Sequence, residues 1–227
     1  MAAEPAAAYD AWYATPLGAA AHRIERRVIG ELAVPKAGER VLDAGCGTGI
    51  YVGWLADEGL DVTGLDRDPR LLAAARAKAP GATFAEGDVA ALPFEDGRFD
   101  LALAVTVFCF LSDAQRRGAA RELLRVTRAG GRVVIGELGR FSVWAAERRI
   151  KAWRGSATWR AARFSTAREL ERLFLGAGAS RVTSRHALYL PPLDRPAVVG
   201  RANAIERLGG MLGPFGAAFV AVRADRR

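Results

Sequence analysis

Cysteine and histidine are scarce in this chain. Two cysteines among 227 residues, Cys46 and Cys109, do not make a spaced disulfide framework, and a reduced, cytoplasmic setting is expected. His22 and His186 are the only histidines, and no metal site is expected. Long apolar runs are also missing. The stretches 101–111 and 208–222 are too short to span a bilayer, and glycine and proline break the second. The N-terminus has neither a cationic start nor a strong apolar run, so no signal peptide is expected. No internal repeat or low-complexity linker stands out.

What is present is a globular balance, with 51% hydrophobic and 26% charged residues. The length suits one sizeable core better than two full domains. Net charge is +8, carried almost wholly by arginine. Such an excess is either a solvated arginine-rich surface or an attraction to an anionic partner, whether nucleic acid, membrane surface or acidic substrate.

Periodicity divides the chain into alternating elements. Ala21, Ile24, Val28 and Leu32 share one face of an N-terminal helix that Pro35 and Gly38 end. A strand at 40–44, a helix at 48–57 and a strand at 61–65 follow. Asp68-Pro69 opens another helix, with aspartate as cap and proline at the first helical position. Strands are expected at 82–85 and 99–105, the second apolar throughout, as when both sheet faces are covered. Ser112-Asp-Ala-Gln115 and Thr166-Ala-Arg-Glu169 read as capping boxes of two further helices. Gly130-Gly131 is expected to turn the chain into a strand at 132–137. Apolar stretches at 182–190 and 217–222 can close the sheet. The alternation argues for an α/β layered fold with a mainly parallel sheet.

Between the first strand and its helix lies Gly45-Cys-Gly-Thr-Gly49. Glycines there permit backbone angles closed to other residues and let the main chain approach a ligand closely. Asp43, two residues earlier, can brace the turn or meet a ligand amine. Asp66, at the end of the second strand, can accept both hydroxyls of a ribose. Asp88, after the third strand in Gly87-Asp88, can accept the exocyclic amine of adenine beside the Val89 amide, or can be a turn aspartate. Three acids at the carboxyl ends of three successive strands point to one crevice, where open α/β sheets bind ligands.

Val41-Leu-Asp-Ala-Gly-Cys-Gly-Thr-Gly49, Asp66, Gly87-Asp88 and Leu92-Pro93-Phe94 resemble the class I S-adenosylmethionine-dependent methyltransferases. Within that class the likeness is to the small-molecule branch of ubiquinone and menaquinone biosynthesis. It spans about residues 38–137, with weaker matches at 164–178 and at Tyr9-Asp-Ala-Trp-Tyr13. The resemblance implies a Rossmann-like, doubly wound sheet of seven strands, mainly parallel with an antiparallel last strand, plus an N-terminal helix and a helical lid insertion. It implies one methyltransferase domain over 1–227, divided into an N-terminal cap helix (1–37), a cofactor-binding core (38–137), an acceptor-side lid (139–164) and final helix and strands (165–227). By the same resemblance Asp43, Gly45, Cys46 and Gly47 line the methionine part of S-adenosylmethionine. Asp66 holds ribose, Asp88 and Val89 hold adenine, and Val105 and Thr106 lie beneath the sulfonium. Gly49 and Arg67 join that cofactor set, and Tyr13 joins it from a lid that it forms with Tyr9. Two departures stand out. Ala129 replaces a usual proline before the fifth strand, and Phe108-Cys-Phe110 stands where many relatives place a histidine.

Methyl transfer of this kind needs alignment more than a strong base. No catalytic residue can be named from the sequence. His22 and His186 read as structural or solvent-facing, and Cys109 as a small buried residue. In 139–164, Val143, Ala146, Ile150 and Trp153 share one helical face, while Arg148, Arg149, Lys151 and Arg154 occupy the others. Such a helix suits a membrane surface or an anion. It equally suits a lid whose apolar face covers the pocket and whose arginines are wet, which is the reading preferred here. The expected acceptor is a small molecule. A nicotinamide oxidoreductase is disfavoured because the turn is Gly-x-Gly-x-Gly. An RNA or DNA methyltransferase is disfavoured because no nucleic-acid module is visible. A non-catalytic cofactor binder stays open, as does oligomeric state.

Overall fold

A computed structural model describes residues 6–227. Two helices, α1 (Ala6–Ala14) and α2 (Pro16–Ala33), precede the sheet. The order then runs β1 (Arg40–Ala44), α3 (Ile50–Asp57), β2 (Asp61–Asp66), α4 (Pro69–Lys78), β3 (Thr83–Glu86), β4 (Phe99–Val105), α5 (Asp113–Val126) and β5 (Thr127–Leu138). Next come α6 (Val143–Trp153), α7 (Ala157–Ala161), α8 (Ala167–Gly176), β6 (Arg181–Ala187), α9 (Pro196–Val199), α10 (Ala202–Gly210) and β7 (Phe219–Asp225). No helix among the described residues is long and apolar enough to cross a membrane.

The seven strands lie in the order β3-β2-β1-β4-β5-β7-β6. Pairs from β3 through β5 are parallel, and β7 runs antiparallel to both β5 and β6. This is the doubly wound sheet with one reversed strand that the sequence implied. Strand alternation splits the core in two. Val41, Leu101, Leu103 and Val134 pack with α2 and α3. Leu42, Ala102, Ala104, Val133 and Ile135 pack with α5 and α8. The chain reverses its winding between β1 and β4, which opens a crevice at the carboxyl edge of those strands.

The capping signals hold: Ser112 and Thr166 each close a reciprocal box, and the Asp68 side chain accepts from the Arg70 amide. The glycine turn before β5 takes another form. The strand starts at Thr127, and Gly130-Gly131 form an irregularity inside it, because the Gly130 amide bonds the Arg226 carbonyl and the Arg226 amide bonds Gly131.

The apolar face of the lid helix is a correction. Val143, Ile150 and Trp153 are 62%, 50% and 87% exposed, and Ala146 is exposed with them. The inward face of α6 is Trp144, Ala145 and the partly buried Arg148. Helical spacing groups the residues of a face but does not say which face docks. Here an alanine allows close approach, and the Trp144 Nε1 donates to the Leu190 carbonyl at 2.6 Å, which fixes the choice.

Helix α2 ends on Val34 at φ 44°, a left-handed angle that a β-branched side chain tolerates poorly. Val34 is 53% exposed, so its side chain loses little packing on removal. Val34→Gly is therefore expected to raise stability by about 0.5–1 kcal/mol. A thermal melt that falls instead would show that the angle carries no strain.

Candidate active site

The turn after β1 is built as its glycines require. Gly45, Gly47 and Gly49 have φ values of 80°, 55° and 81°. A Cβ on Gly45 would meet Val107 at 2.5 Å, and one on Gly49 would meet Ala75 on α4 at 2.9 Å. At Gly47 a Cβ would meet nothing within 4 Å, so only its backbone angle demands glycine, and the space beside it is open. Cys46 is buried between these residues.

Asp66 braces this turn. One carboxylate oxygen accepts the Gly47 amide at 2.9 Å, and the other accepts the Asp68 amide at 3.0 Å. An ionised carboxylate has further lone pairs for a ligand. Asp43 behaves differently. It is buried, and its Oδ2 has no hydrogen-bond partner among the described residues. Burial, aided by the nearby Asp66 charge, pushes its carboxyl up to about 7. A buried, orphaned acceptor beside a bare turn is a place for a cationic donor.

Other members of the expected set lie along the same edge. Val105 is buried at the end of β4, and Thr106 follows at φ 54°, its amide bonded to the Gly136 carbonyl at 2.7 Å. Val89 is buried in the second core cluster. Asp88 is exposed, and its Oδ1 accepts the Ala90 amide at 2.8 Å, as in an Asx turn. Arg67 is exposed.

Helix α1 lies across the crevice. Asp10 accepts the Thr48 hydroxyl at 2.7 Å and pairs with Lys78 on α4 at 2.6 Å, and Tyr9 stands close to Thr106. Tyr9 and Tyr13 share a hydroxyl contact of 3.0 Å. Two surface cavities, of about 490 and 440 Å³, lie elsewhere. One is lined by residues including Phe141, His186 and Phe215, the other by residues including Arg40, Asp61 and Arg98.

Three features escaped the sequence reading. Glu25 on α2 is buried, and accepts the Tyr51 hydroxyl at 3.2 Å. Burial pushes its carboxyl up to about 7, against the opposing pull of Arg148. Its signal was its place beside Ile24 on the helix face that also carries Val28 and Leu32. Glu137 on β5 is buried beneath the 108–110 turn, accepts the Phe108 amide at 2.7 Å, and is likewise raised to about 7 by burial. Arg148, expected to be wet, reaches inward. The histidines remain weak bases: burial, with Arg26 nearby, lowers His22 to about 4, and burial also lowers His186, the penultimate residue of β6. No group of residues suited to holding a metal occurs among the described residues.

The comparisons agree with this geometry. Residues 42–135 match the family described as "Methyltransferase domain". An uncharacterised protein of Mycobacterium tuberculosis is 34% identical over 225 residues, covering 98% of this chain and 73% of that one. A demethylmenaquinone methyltransferase of Beutenbergia cavernae is 40% identical over 116 residues, 51% of this chain and 47% of that enzyme. Among solved structures, a SAM-dependent methyltransferase of Thermotoga maritima, described as a possible histamine N-methyltransferase, superposes with a TM-score of 0.75 at 24% identity. It covers 96% of this chain and 94% of that one. With its glycine turn, its reversed last strand and its relatives in accord, the chain belongs to the class I S-adenosylmethionine-dependent methyltransferases.

Proposed function

We propose that this enzyme methylates a small-molecule acceptor by in-line displacement. S-adenosylmethionine supplies a methyl group already activated on a sulfonium. The protein's own work is to hold the partners in line and exclude water, and alignment alone supplies about 7–11 kcal/mol in favourable cases. Asp43 accepts the ammonium of the methionine portion, and Gly45, Cys46, Gly47 and Gly49 form the bare cradle for it. Asp66 accepts the ribose hydroxyls, with Arg67 beside it. Asp88 and the Val89 amide meet adenine, Val105 underlies the sulfonium, and Tyr13 closes the site from α1. The observation that carries the cofactor assignment is the orphaned Oδ2 of buried Asp43 at the open side of the glycine turn.

That observation yields a test in protons. At pH 6, below a value of about 7, Asp43 is mostly protonated in the free protein. An incoming ammonium favours the carboxylate, so binding must release that proton. Calorimetry with S-adenosylhomocysteine in buffers of different ionisation heat should show release approaching one proton at pH 6 and fading by pH 8. Asp43→Asn should abolish the release and weaken binding, while NADH should not bind. Release that is equal in the asparagine variant would remove Asp43 from the site. A labelled methyl donor presented with metabolite extracts then identifies the acceptor class, and labelling only of RNA would overturn the small-molecule reading.

A further inference from the structure

An aromatic network runs from α1 over the crevice to α2, α3 and α6, and of its members only Tyr13 belongs to the cofactor set. Tyr9 meets Tyr13 with ring centroids 5.1 Å apart, and Trp12 meets Tyr13 at 4.8 Å. Tyr13 meets His22 at 5.2 Å, and His22 meets Tyr51 at 5.3 Å. Trp12 meets Trp144 edge-on at 6.3 Å, which joins α1 to the lid helix α6. Arg148 enters this network from α6. Its guanidinium carbon lies 5.1 Å from the Trp144 ring centroid and 4.7 Å from that of Trp159.

On the same helix Lys151 pairs with Glu147, and Arg149 donates to the Arg140 carbonyl. Among the described residues Arg148 has neither an ion pair nor a hydrogen bond; its contacts are the two indoles. Its charge acts on Glu25 on α2, Tyr13 on α1 and Cys109 after β4, so the guanidinium lies near the junction of those elements. The indoles engage the flat faces of a guanidinium, while its N–H donors lie along the edges. Donors left unmatched in a partly dry site are costly unless something else takes them up. Glu25 attracts Arg148 but does not take up its donors: it accepts from Tyr51, and its burial opposes the carboxylate form. Arg148 therefore brings a cation without an ion pair to a cluster of aromatic rings at the junction of α1 and α6.

Resting on the methyl-transfer reading above, we propose that Arg148, flanked by Trp144 and Trp159, anchors the methyl acceptor, and that the acceptor is an aromatic molecule bearing an anionic oxygen group. The guanidinium edge takes that group in a forked pair of hydrogen bonds, which lysine cannot reproduce. The rings of Tyr9, Tyr13 and Trp12 face the acceptor's flat body.

Matched probes test this. Protein saturated with S-adenosylhomocysteine is titrated calorimetrically with 3,4-dihydroxybenzoate and its primary amide, and with 1-hydroxy-2-naphthoate and its primary amide. At least one carboxylate should bind ten-fold or more tightly than its amide. Arg148→Met, which keeps an apolar stem against the indoles, should erase that preference while leaving S-adenosylhomocysteine affinity and the melting temperature within error of the parent. Arg148→Lys should retain only part of it. Equal binding of acid and amide, binding of neither, or a preference that survives in the methionine variant would each overturn the anchor. Failure of S-adenosylhomocysteine itself to bind would strike the cofactor reading first and this one with it.

Discussion

Asp66→Ala is expected to weaken S-adenosylhomocysteine binding by about 100-fold. The carboxylate has two duties. It accepts the Gly47 and Asp68 amides, which set the shape of the turn, and in the proposed site it also accepts two ribose hydroxyls. Hydrogen bonds to a charged group contribute about 1.5–3 kcal/mol each, so even at the low end of that range losing the pair to ribose removes roughly two decades of affinity. The fold should survive, because Gly47 and Asp68 are only half-buried and water can replace the lost acceptor. Asp66→Asn separates the two duties. The asparagine oxygen can still accept one loop amide, but its NH₂ cannot accept a hydroxyl, so affinity should fall while the melt stays near the parent's. An unchanged dissociation constant in the alanine variant would take Asp66 out of the cofactor site.

The glycine-turn edge of the sheet was legible because its geometry is local. A strand, a glycine turn and a helix lie contiguous in sequence, and β1 and β4 occupy the residues that hydrophobicity alone marks out. Asp43 and Asp66 are fixed by position at strand ends, so their juxtaposition follows from parallel pairing. The junction of the helices over that edge is another matter. Arg148, Glu25, Tyr51 and Tyr13 come from four separate helices, and no sequence spacing relates them. Glu25 reads as an ordinary surface acid until α2 is seen to bury a face wide enough to hold both Ile24 and Glu25. The lid helix was turned the wrong way because its apolar stripe obeys helical spacing yet faces outward. What decides its orientation is a tertiary contact, Trp144 to Leu190, 46 residues apart in sequence.

Long-range polar contacts of that kind also set the second large expected effect: Arg132→Met should lower the melting temperature by roughly 10 °C. Arg132 on β5 is buried, and its guanidinium forks onto Glu39 at 2.8 and 2.6 Å. It also donates to the carbonyls of Ala33 and Val34, the end of α2, and thereby ties the helix that carries His22 and Glu25 to the sheet. Removing one partner of a largely buried pair costs about 3 kcal/mol or more, since the other charge is left unmatched. For a chain of this size each kcal/mol moves the melt by roughly 2–4 °C. Glu39→Leu added to Arg132→Met should recover part of the loss by removing the stranded carboxylate. The pH dependence has a definite sign. The Arg132 hydrogen bonds hold the Glu39 carboxyl below its ordinary value of 4.5. Its contribution is complete above that value and is lost as pH falls through the depressed one. The gap between parent and Arg132→Met melts should thus be widest at neutral pH and narrow as the medium is made acid below 4.5. A gap that stays constant from pH 7 to 3 would mean that the carbonyl bonds to Ala33 and Val34, rather than the ion pair, account for the loss.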